Sequence, residues 1–157
     1  MKKIKITDLL IFIVTAELVG ALSALLSGDY KSFYSEYIRP PLMPPAWLFP
    51  VVWAVLYALM GISAYIIWNS NGSEIRKATA LKLYFLQLAV NFSWSIIFFR
   101  FRLLETAAII AVLLLVLVVL MVISFKRIKN AAAWLNVPYI IWLIFASYLA
   151  VSVYILN

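Results

Sequence analysis

The residues best suited to chemistry in this sequence are aromatic, and many lie in one proline-rich stretch, RPPLMPPAWLFPVVWAVLY, at residues 39–57. It holds five of the six prolines and two of the six tryptophans. Because proline fixes φ and has no amide hydrogen to donate, we expect an extended, stiff loop over residues 39–45, with a helix starting at Pro44 or Pro45. Such a loop above an aromatic helix end is a plausible lid for a flat apolar ligand.

The helix that follows carries two large rings above two small residues on one face. These residues are Trp53, Tyr57, Gly61 and Ala64. Their spacings of four, four and three place them on the same side of a helix. The arrangement makes a niche against a facing helix.

A later apolar segment carries a polar stripe. Gln87, Asn91 and Ser95 follow one another at intervals of four residues, with Trp94 beside them. Inside a bilayer these groups must face the protein interior, because lipid offers them no hydrogen-bond partner. They then either bond other helices or bind the polar groups of a ligand. Each residue alone is more typical of interhelical bonding, whereas the whole stripe with its tryptophan favours a pocket.

Glu17 is the one acidic residue deep inside an apolar segment. A carboxylate at membrane depth is energetically expensive, so it usually has a function. Two interpretations stand. Glu17 is a proton site or polar anchor for a ligand, or it is a protonated carboxyl that hydrogen-bonds a neighbouring helix.

The last apolar segment contains Pro138, close to Asn136, Tyr139 and Trp142. A proline inside a helix leaves a carbonyl of the preceding turn without its hydrogen bond, so we expect a kink there. A kink at this point would tilt the Trp142 ring towards the bundle interior.

Several kinds of chemistry are absent. The sequence has no cysteine and no histidine, which removes disulfides, thiolate and imidazole chemistry and the usual zinc, copper and haem-iron ligands. A glycine-rich phosphate loop, paired carboxylates and a nucleophile beside a base are also missing. We therefore expect no metal site, no required cofactor and no conventional catalytic constellation. The remaining indoles, phenols and amides suit a large, flat, mostly apolar molecule.

The elements that carry these residues are predicted to be membrane helices. Of the 157 residues, 67% are hydrophobic and 12% charged, and the mean hydropathy is +1.07, well above that of soluble domains. Five runs can cross a bilayer, and none alternates like a barrel strand. We predict an all-α membrane protein, a five-transmembrane-helix bundle forming a single domain over residues 1–157. The predicted spans are residues 6–27, 46–68, 78–99, 106–125 and 131–155.

The net charge of +7 comes from bases clustered at helix ends, which favours contact with anionic lipid headgroups over a nucleic-acid partner. One side of the membrane would carry nine bases and the other four. The nine are Lys2, Lys3, Lys5, Arg76, Lys77, Lys82, Lys126, Arg127 and Lys129, and the four are Lys31, Arg39, Arg100 and Arg102. The positive-inside rule then places the N-terminus inside, and the C-terminus and proline loop outside.

Small residues recur every fourth position in the first span, at Ala16, Gly20, Ala24 and Gly28. Such a ridge lets another helix approach closely. It indicates either packing inside the bundle, which is the commoner use, or the seam of a dimer.

Together these residues resemble the TspO/MBR family of tryptophan-rich sensory proteins, the prokaryotic relatives of the mitochondrial translocator protein, over nearly the whole chain. The motifs occur in the order of the spans. They are Phe33-Tyr34, Arg39-Pro40, Pro44-Pro45, Trp47, residues 52–57, Met60-Gly61, residues 65–68, residues 87–91, Trp94, Phe98-Phe99, and residues 138–142 with Phe145.

The resemblance implies a five-helix bundle, usually a homodimer, that binds porphyrins such as protoporphyrin IX under the first loop. By the same resemblance, the ligand-binding residues are Trp47, Trp53, Tyr57, Gln87, Asn91, Trp94, Trp142 and Phe145. Some bacterial members promote light-dependent breakdown of bound porphyrin, and the resemblance assigns this photochemistry to Trp53 and Trp142. An indole stacked near an excited macrocycle is a ready electron donor.

The sequence departs from the family pattern in places. Leu42 stands where the family often has a tryptophan. Ala150 stands where the animal members have an asparagine followed by a cholesterol motif, so sterol binding of the mitochondrial kind is not expected. Because no histidine is present to ligate haem iron, metal-free porphyrin should bind at least as well as haem.

The sequence thus predicts a membrane receptor or sensor for porphyrins and similar flat apolar molecules, in a prokaryotic cell membrane, with light-dependent porphyrin degradation left open. The alternative is a small proton-coupled transporter of drugs or tetrapyrroles that uses Glu17. An acid in the first span resembles that of four-helix multidrug exporters, but the fifth span and the proline loop argue against this alternative. A third hypothesis is a binding and signalling module without turnover.

Overall fold

The computed structural model describes residues 4–157, apart from the side chain of Tyr30, so Lys2 and Lys3 of the charge prediction lie outside the described residues. Its helices are α1 (Ile6–Ser27), α2 (Tyr30–Glu36), α3 (Leu48–Trp68), α4 (Glu74–Ser95), α5 (Leu104–Lys126), α6 (Asn130–Trp134) and α7 (Val137–Leu156). A π-helical turn, Ile96–Arg100, extends α4. Five helical stretches are long and apolar enough to cross a membrane, and the predicted five-span, all-α architecture is confirmed.

Four of the predicted spans agree with the helices to within two residues at each end, whereas the third begins earlier. Helix α4 starts at Glu74, inside a segment whose serine, asparagine and glycine residues favour a loop. An acidic residue in the first turn complements the helix dipole. Lys77 reaches back one turn, and its Nζ lies 3.1 Å from a Glu74 carboxylate oxygen.

The proline stretch differs from the prediction in two ways. Helix α3 begins at Leu48 and not at Pro44 or Pro45, and Pro45 disfavours helical backbone at Pro44. The Leu48 amide donates to the Pro45 carbonyl at 3.0 Å, which forms a tight turn just ahead of the helix. The loop is also not fully extended, since a second turn places Leu42 at a φ of 66°.

The fifth span is interrupted more strongly than a kink. Helix α6 ends at Trp134 and α7 begins at Val137, so Leu135 and Asn136 separate the two helices. The Asn136 side chain donates to the Ala132 carbonyl at 2.9 Å, so it supplies a hydrogen bond at the break. Pro138 then lies in the first turn of α7, where a missing amide hydrogen costs little.

Helix α1 packs against α3 and α4, while α5 packs against α4 and α7. The small-residue ridge works inside the bundle at Ala16, which is fully buried, and at Gly20, which lies against a side chain of α3. Gly61 of α3 meets the backbone of α1, where an added Cβ would lie 2.7 Å from the Ile13 Cα. Ala16 and Gly20 thus pack within the bundle, which is one of the two uses predicted for the ridge.

Helix α2 is an addition that hydropathy did not predict. Asp29 caps it by accepting a hydrogen bond from the Lys31 amide at 2.9 Å. Its Phe33 is only 1% exposed and joins a second core cluster with Phe98 and residues of α5 and α7. The short helix is therefore fixed to the end of the bundle and covers it.

Candidate functional site

A cavity of about 310 Å³ lies between α1, α3 and α4, and Tyr34 of α2 and Ala46 of the first loop close one side of it. We define the first loop as residues 28–47, including α2. Six aromatic rings line the cavity, those of Tyr34, Phe49, Trp53, Tyr57, Trp94 and Phe99. The volume is near the lower end of the range of about 300–1,000 Å³ for small-molecule sites.

Trp53 and Tyr57 lie one turn apart on α3, and their ring centroids are 5.6 Å apart. The Tyr57 ring fits because Gly20 of α1 has no side chain, since a Cβ there would lie 2.3 Å from the Tyr57 Cε2. The predicted niche of span two therefore exists, and span one forms its facing wall.

Trp94 is held in a fixed orientation on the α4 side of the cavity. Its ring stacks on Phe98 with centroids 5.0 Å apart and an interplanar angle of 13°. Its indole Nε1 donates to the Ala107 carbonyl of α5 at 3.0 Å. The Trp94 indole N–H is therefore not free to donate a hydrogen bond to a ligand in the cavity.

Gln87 and Asn91 lie away from the cavity in a buried hydrogen-bond network. The Asn91 Nδ2 donates to the Tyr139 hydroxyl at 3.1 Å, and that hydroxyl donates to the Gln87 Oε1 at 2.9 Å. The Gln87 Nε2 approaches the Met60 Sδ at 3.6 Å. Two members of the polar stripe therefore join α3, α4 and α7, while the third, Ser95, lines the cavity.

Trp142 and Phe145 lie on a different surface. They line an apolar groove of about 530 Å³ between α3 and α7, together with Val51, Val52, Val55, Leu56, Pro138 and Ile141. The Trp142 Nε1 is buried and has no hydrogen-bond partner among the described residues. Trp47, also predicted to bind ligand, is 64% exposed and lines neither the cavity nor the groove.

Phe49 connects the two surfaces, and sequence reasoning missed it. It lines the cavity, and its ring is edge-on to Trp142 with centroids 5.8 Å apart. It also contacts Tyr34 of the first loop at 6.4 Å. Its position one turn before Trp53, which is itself one turn before Tyr57, is the signal that could have identified it.

Polar contacts fasten the first loop over the bundle. The Tyr34 hydroxyl donates to the Pro44 carbonyl at 3.2 Å, and the Tyr148 hydroxyl of α7 donates to the Pro41 carbonyl at 3.0 Å. Asn157 pairs with both backbone groups of Ile38, at 2.8 and 3.2 Å. The loop is thus anchored to α7 as well as within itself.

Helix α2 has its own anchor. Arg102 forms an ion pair with Glu36 and contacts the Ser32 hydroxyl at 3.2 Å. The Arg102 guanidinium donates hydrogen bonds to the Glu36 carboxylate, and these raise the pKa of Arg102. Arg39 lies over the Tyr34 ring at 5.5 Å, so a positive charge lies beside the loop face of the cavity.

Glu17 also lines the cavity, from the centre of α1. Its side chain is partly buried. Both described ion pairs involve other acids, Glu36 and Glu74. A carboxyl group thus adjoins the aromatic rings without a described basic partner.

Comparison with known proteins agrees with this architecture. The profile of the TspO/MBR family matches residues 11–156. The chain is 33% identical to the tryptophan-rich protein TspO of Archaeoglobus fulgidus over 153 residues, which cover 92% of this chain and 96% of that protein. It is 33% identical over 125 residues to the tryptophan-rich protein TspO of Chlorobaculum tepidum, covering 80% and 79%. Against the translocator protein of Homo sapiens it is 32% identical over 126 residues, covering 80% and 75%. With five membrane-spanning helices and a family match over nearly its whole length, the chain belongs to the TspO/MBR family of integral membrane proteins.

Proposed function

We propose that this protein is a membrane receptor or sensor that binds porphyrin-like tetrapyrroles and similar flat apolar molecules in the cavity under its first loop. The observation that carries the proposal is the set of six aromatic rings around one cavity within the membrane-spanning part of the bundle. Rings supply large stacking surfaces at low conformational cost. The resemblance to the TspO/MBR family supplies the tetrapyrrole class.

The chemistry of the cavity wall suits the ring system better than a bound metal ion. In the part of the chain that the structure describes, no group of three or more acidic, histidine or cysteine residues could hold a metal ion. A tetrapyrrole would therefore be held through its macrocycle. Its carboxylates would find bases only outside the cavity, where Arg39 lies beside Tyr34.

Light-dependent chemistry, if the protein performs it, would use Trp53 first. Trp53 lines the cavity, so its indole can contact a bound macrocycle and donate an electron to the excited ring. Trp142 does not line the cavity, and its described ring contact with a lining residue is the one with Phe49. We therefore assign Trp53 the direct contact and Trp142 a supporting position behind Phe49.

The test is a titration of the purified protein with protoporphyrin IX, first in the dark and then under illumination, followed by tryptophan quenching and porphyrin absorption. We expect saturable one-site quenching in the dark. New absorption bands that appear only under light would support the photochemical role. Saturable binding without new bands would leave a receptor without turnover, and the absence of saturable binding would reject the tetrapyrrole proposal.

The position of Glu17 on the cavity wall favours one rival function, a proton-coupled transporter. This rival predicts uptake of its substrate into proteoliposomes only under a proton gradient, and complete loss of that uptake in Glu17→Gln. Uptake that does not respond to the gradient, or that survives the substitution, would exclude it.

We also propose a homodimer in the cell membrane, with the N-terminus inside. The basis is the family resemblance and the excess of basic residues at one end of the spans. Cross-linking in membranes tests the dimer, and the orientation has a test of its own in the Discussion.

A further inference from the structure

The cavity has a charge character that an aromatic site for neutral ligands would not need. Glu17 lies eleven residues after the start of α1 and ten before its end, so about 15 Å of helix extends on either side. A carboxyl group at the middle of a membrane span is placed where an ion is least stable, and such groups usually face a partner. In this structure the Glu17 side chain faces the cavity, which aromatic rings line on its other sides.

Four of the other polar groups on the wall donate their hydrogens to backbone carbonyls. The Ser23 hydroxyl donates to the Phe92 carbonyl at 2.8 Å, and the Ser27 hydroxyl donates to the Ser23 carbonyl at 2.6 Å. Tyr34 and Trp94 also donate to backbone carbonyls, at 3.2 and 3.0 Å. What these four groups still offer a ligand is lone pairs and π-electron faces, which attract donors and positive charge.

Neither lysine nor arginine is among the residues that line the cavity. Arg39 lies over the Tyr34 ring, on the first loop. A positively charged ligand would therefore meet one carboxylate and several aromatic faces without a competing cation on the wall. A negatively charged group inside the cavity would meet the carboxylate with no base on the wall to compensate, so the acid groups of a ligand would have to lie outside the cavity, on the side of Arg39.

We propose that the cavity is a binding site for lipophilic organic cations, in which Glu17 neutralises the charge and Trp53 and Tyr57 stack on the flat body. An amine or quaternary ammonium within about 6 Å of an indole face is attracted by the ring quadrupole. A positive charge beside Glu17 in turn favours the ionised carboxylate. This inference concerns the same cavity as the proposed function and adds a ligand class that the tetrapyrrole proposal does not include.

The test uses two probes of the same shape and different charge, N-methylacridinium and 9-methylanthracene. Both are titrated against the full-length protein in nanodiscs, with empty nanodiscs as the blank, and saturable quenching of tryptophan emission gives each dissociation constant. The wild type should bind the cation at least about tenfold more tightly than its neutral isostere. Equal affinity for the two probes would overturn the proposal.

Two variants test whether the preference for the cation comes from the Glu17 carboxylate. Glu17→Gln should lose about tenfold in affinity for N-methylacridinium, while its affinity for 9-methylanthracene changes less than about twofold. Asp8→Asn removes the other acid of α1, which lines no described cavity, and should leave both constants unchanged. Retention of the cation preference in Glu17→Gln would overturn the proposal.

A further variant distinguishes the loss of the Glu17 charge from a collapse of the cavity. If Glu17→Gln binds neither probe, Glu17→Asp decides, because it keeps the charge on a shorter side chain. Cation binding by Glu17→Asp supports the proposal, and its loss rejects it. Protoporphyrin IX titrated against the same samples keeps this test separate from that of the proposed function, since a wild type that binds porphyrin but shows no cation preference fails only this inference.

Discussion

At the scale of single residues, Trp53 and Trp142 lie on different surfaces of the bundle. Trp53 lines the cavity, whereas Trp142 lines the groove between α3 and α7. Phe49 lies between Trp142 and the cavity, because its ring lines the cavity and contacts Trp142. A ligand in the cavity would therefore meet one of the two indoles directly.

This asymmetry leads to a first prediction. Trp53→Phe keeps a stacking ring, so dark affinity for protoporphyrin IX should change by no more than about threefold. Phenylalanine is a poor electron donor, however, so the light-dependent spectral change should slow strongly. Trp142→Phe should slow it less. The measurement is absorption spectroscopy under constant illumination.

Trp134→Phe is the matched control, since Trp134 is 71% exposed and lines neither the cavity nor the groove. It should behave as the wild type. Equal slowing by the Trp53 and Trp142 variants would contradict the assignment of direct contact to Trp53.

A second prediction concerns Gly20. Gly20→Ala should push the Tyr57 ring, because the new Cβ would lie 2.3 Å from its Cε2. Overpacking of this kind costs about 1–3 kcal/mol of stability. It should also move the ring into the cavity and weaken ligand binding. Thermal unfolding in detergent and porphyrin titration measure the two effects.

A double-mutant cycle identifies the cause. Gly20→Ala combined with Tyr57→Leu should recover part of the stability lost by the single change, since the smaller side chain relieves the clash. Strictly additive losses would show that the alanine acts elsewhere.

At the scale of elements, the hydroxyl of Tyr139 fastens α7 to α4. It accepts from Asn91 and donates to Gln87, both of which are almost fully buried. Buried polar groups that lose a partner pay their desolvation cost in full. The network therefore fixes how these helices are rotated, and with it which rings reach the cavity.

A third prediction follows for Tyr139→Phe. The change leaves the Gln87 Oε1 and the Asn91 Nδ2 without this partner, and it should lower stability by about 1–2 kcal/mol. Affinity for a cavity ligand should change little, because neither amide lines the cavity. Tyr154→Phe, at an exposed position of the same helix, is the control and should be neutral. A large loss of affinity with unchanged stability would place the amides in the binding site.

These elements also show what sequence alone could predict. Hydropathy located five spans, and the spacing of Trp53 and Tyr57 identified the face of α3 that lines the cavity. The partners of Gln87 and Asn91 could not be predicted, because they depend on how α4 and α7 are rotated against each other. Helix α2 was not predicted, because a seven-residue helix with mixed polarity has little periodicity. Trp142 was assigned to the pocket, whereas it lines the groove between α3 and α7, because the rotation of α7 cannot be predicted from its sequence.

The first loop is held by polar contacts to neighbouring segments of the bundle. A fourth prediction tests one of them. Arg102→Gln removes the ion pair with Glu36, and amide hydrogen exchange over residues 30–36 should rise. Lys31→Gln, which removes an exposed base of α2 itself, is the control and should leave the exchange unchanged. Identical exchange in the Arg102 variant would show that the ion pair does not hold the helix in place.

At the scale of the whole molecule, the orientation decides whether ligands reach the first loop from outside or from inside the cell. The distribution of basic residues predicts that the first loop faces outside and that the loop between α3 and α4 faces inside. Because the chain contains no cysteine, single cysteines can report this directly. Ser35 and Asn71 suit the purpose, since both are exposed and lie in the two loops.

A membrane-impermeant maleimide should therefore label Ser35→Cys in intact cells and Asn71→Cys only after permeabilisation. The unmodified chain is the background control, and both variants should keep the porphyrin affinity of the wild type. The reverse labelling pattern would invert the topology and open the first loop to the cell interior. The cavity would then draw its ligands from inside the cell, and a receptor for intracellular tetrapyrrole would replace one that samples the outer side. Labelling of both positions in intact cells would instead indicate that the protein inserts in two orientations.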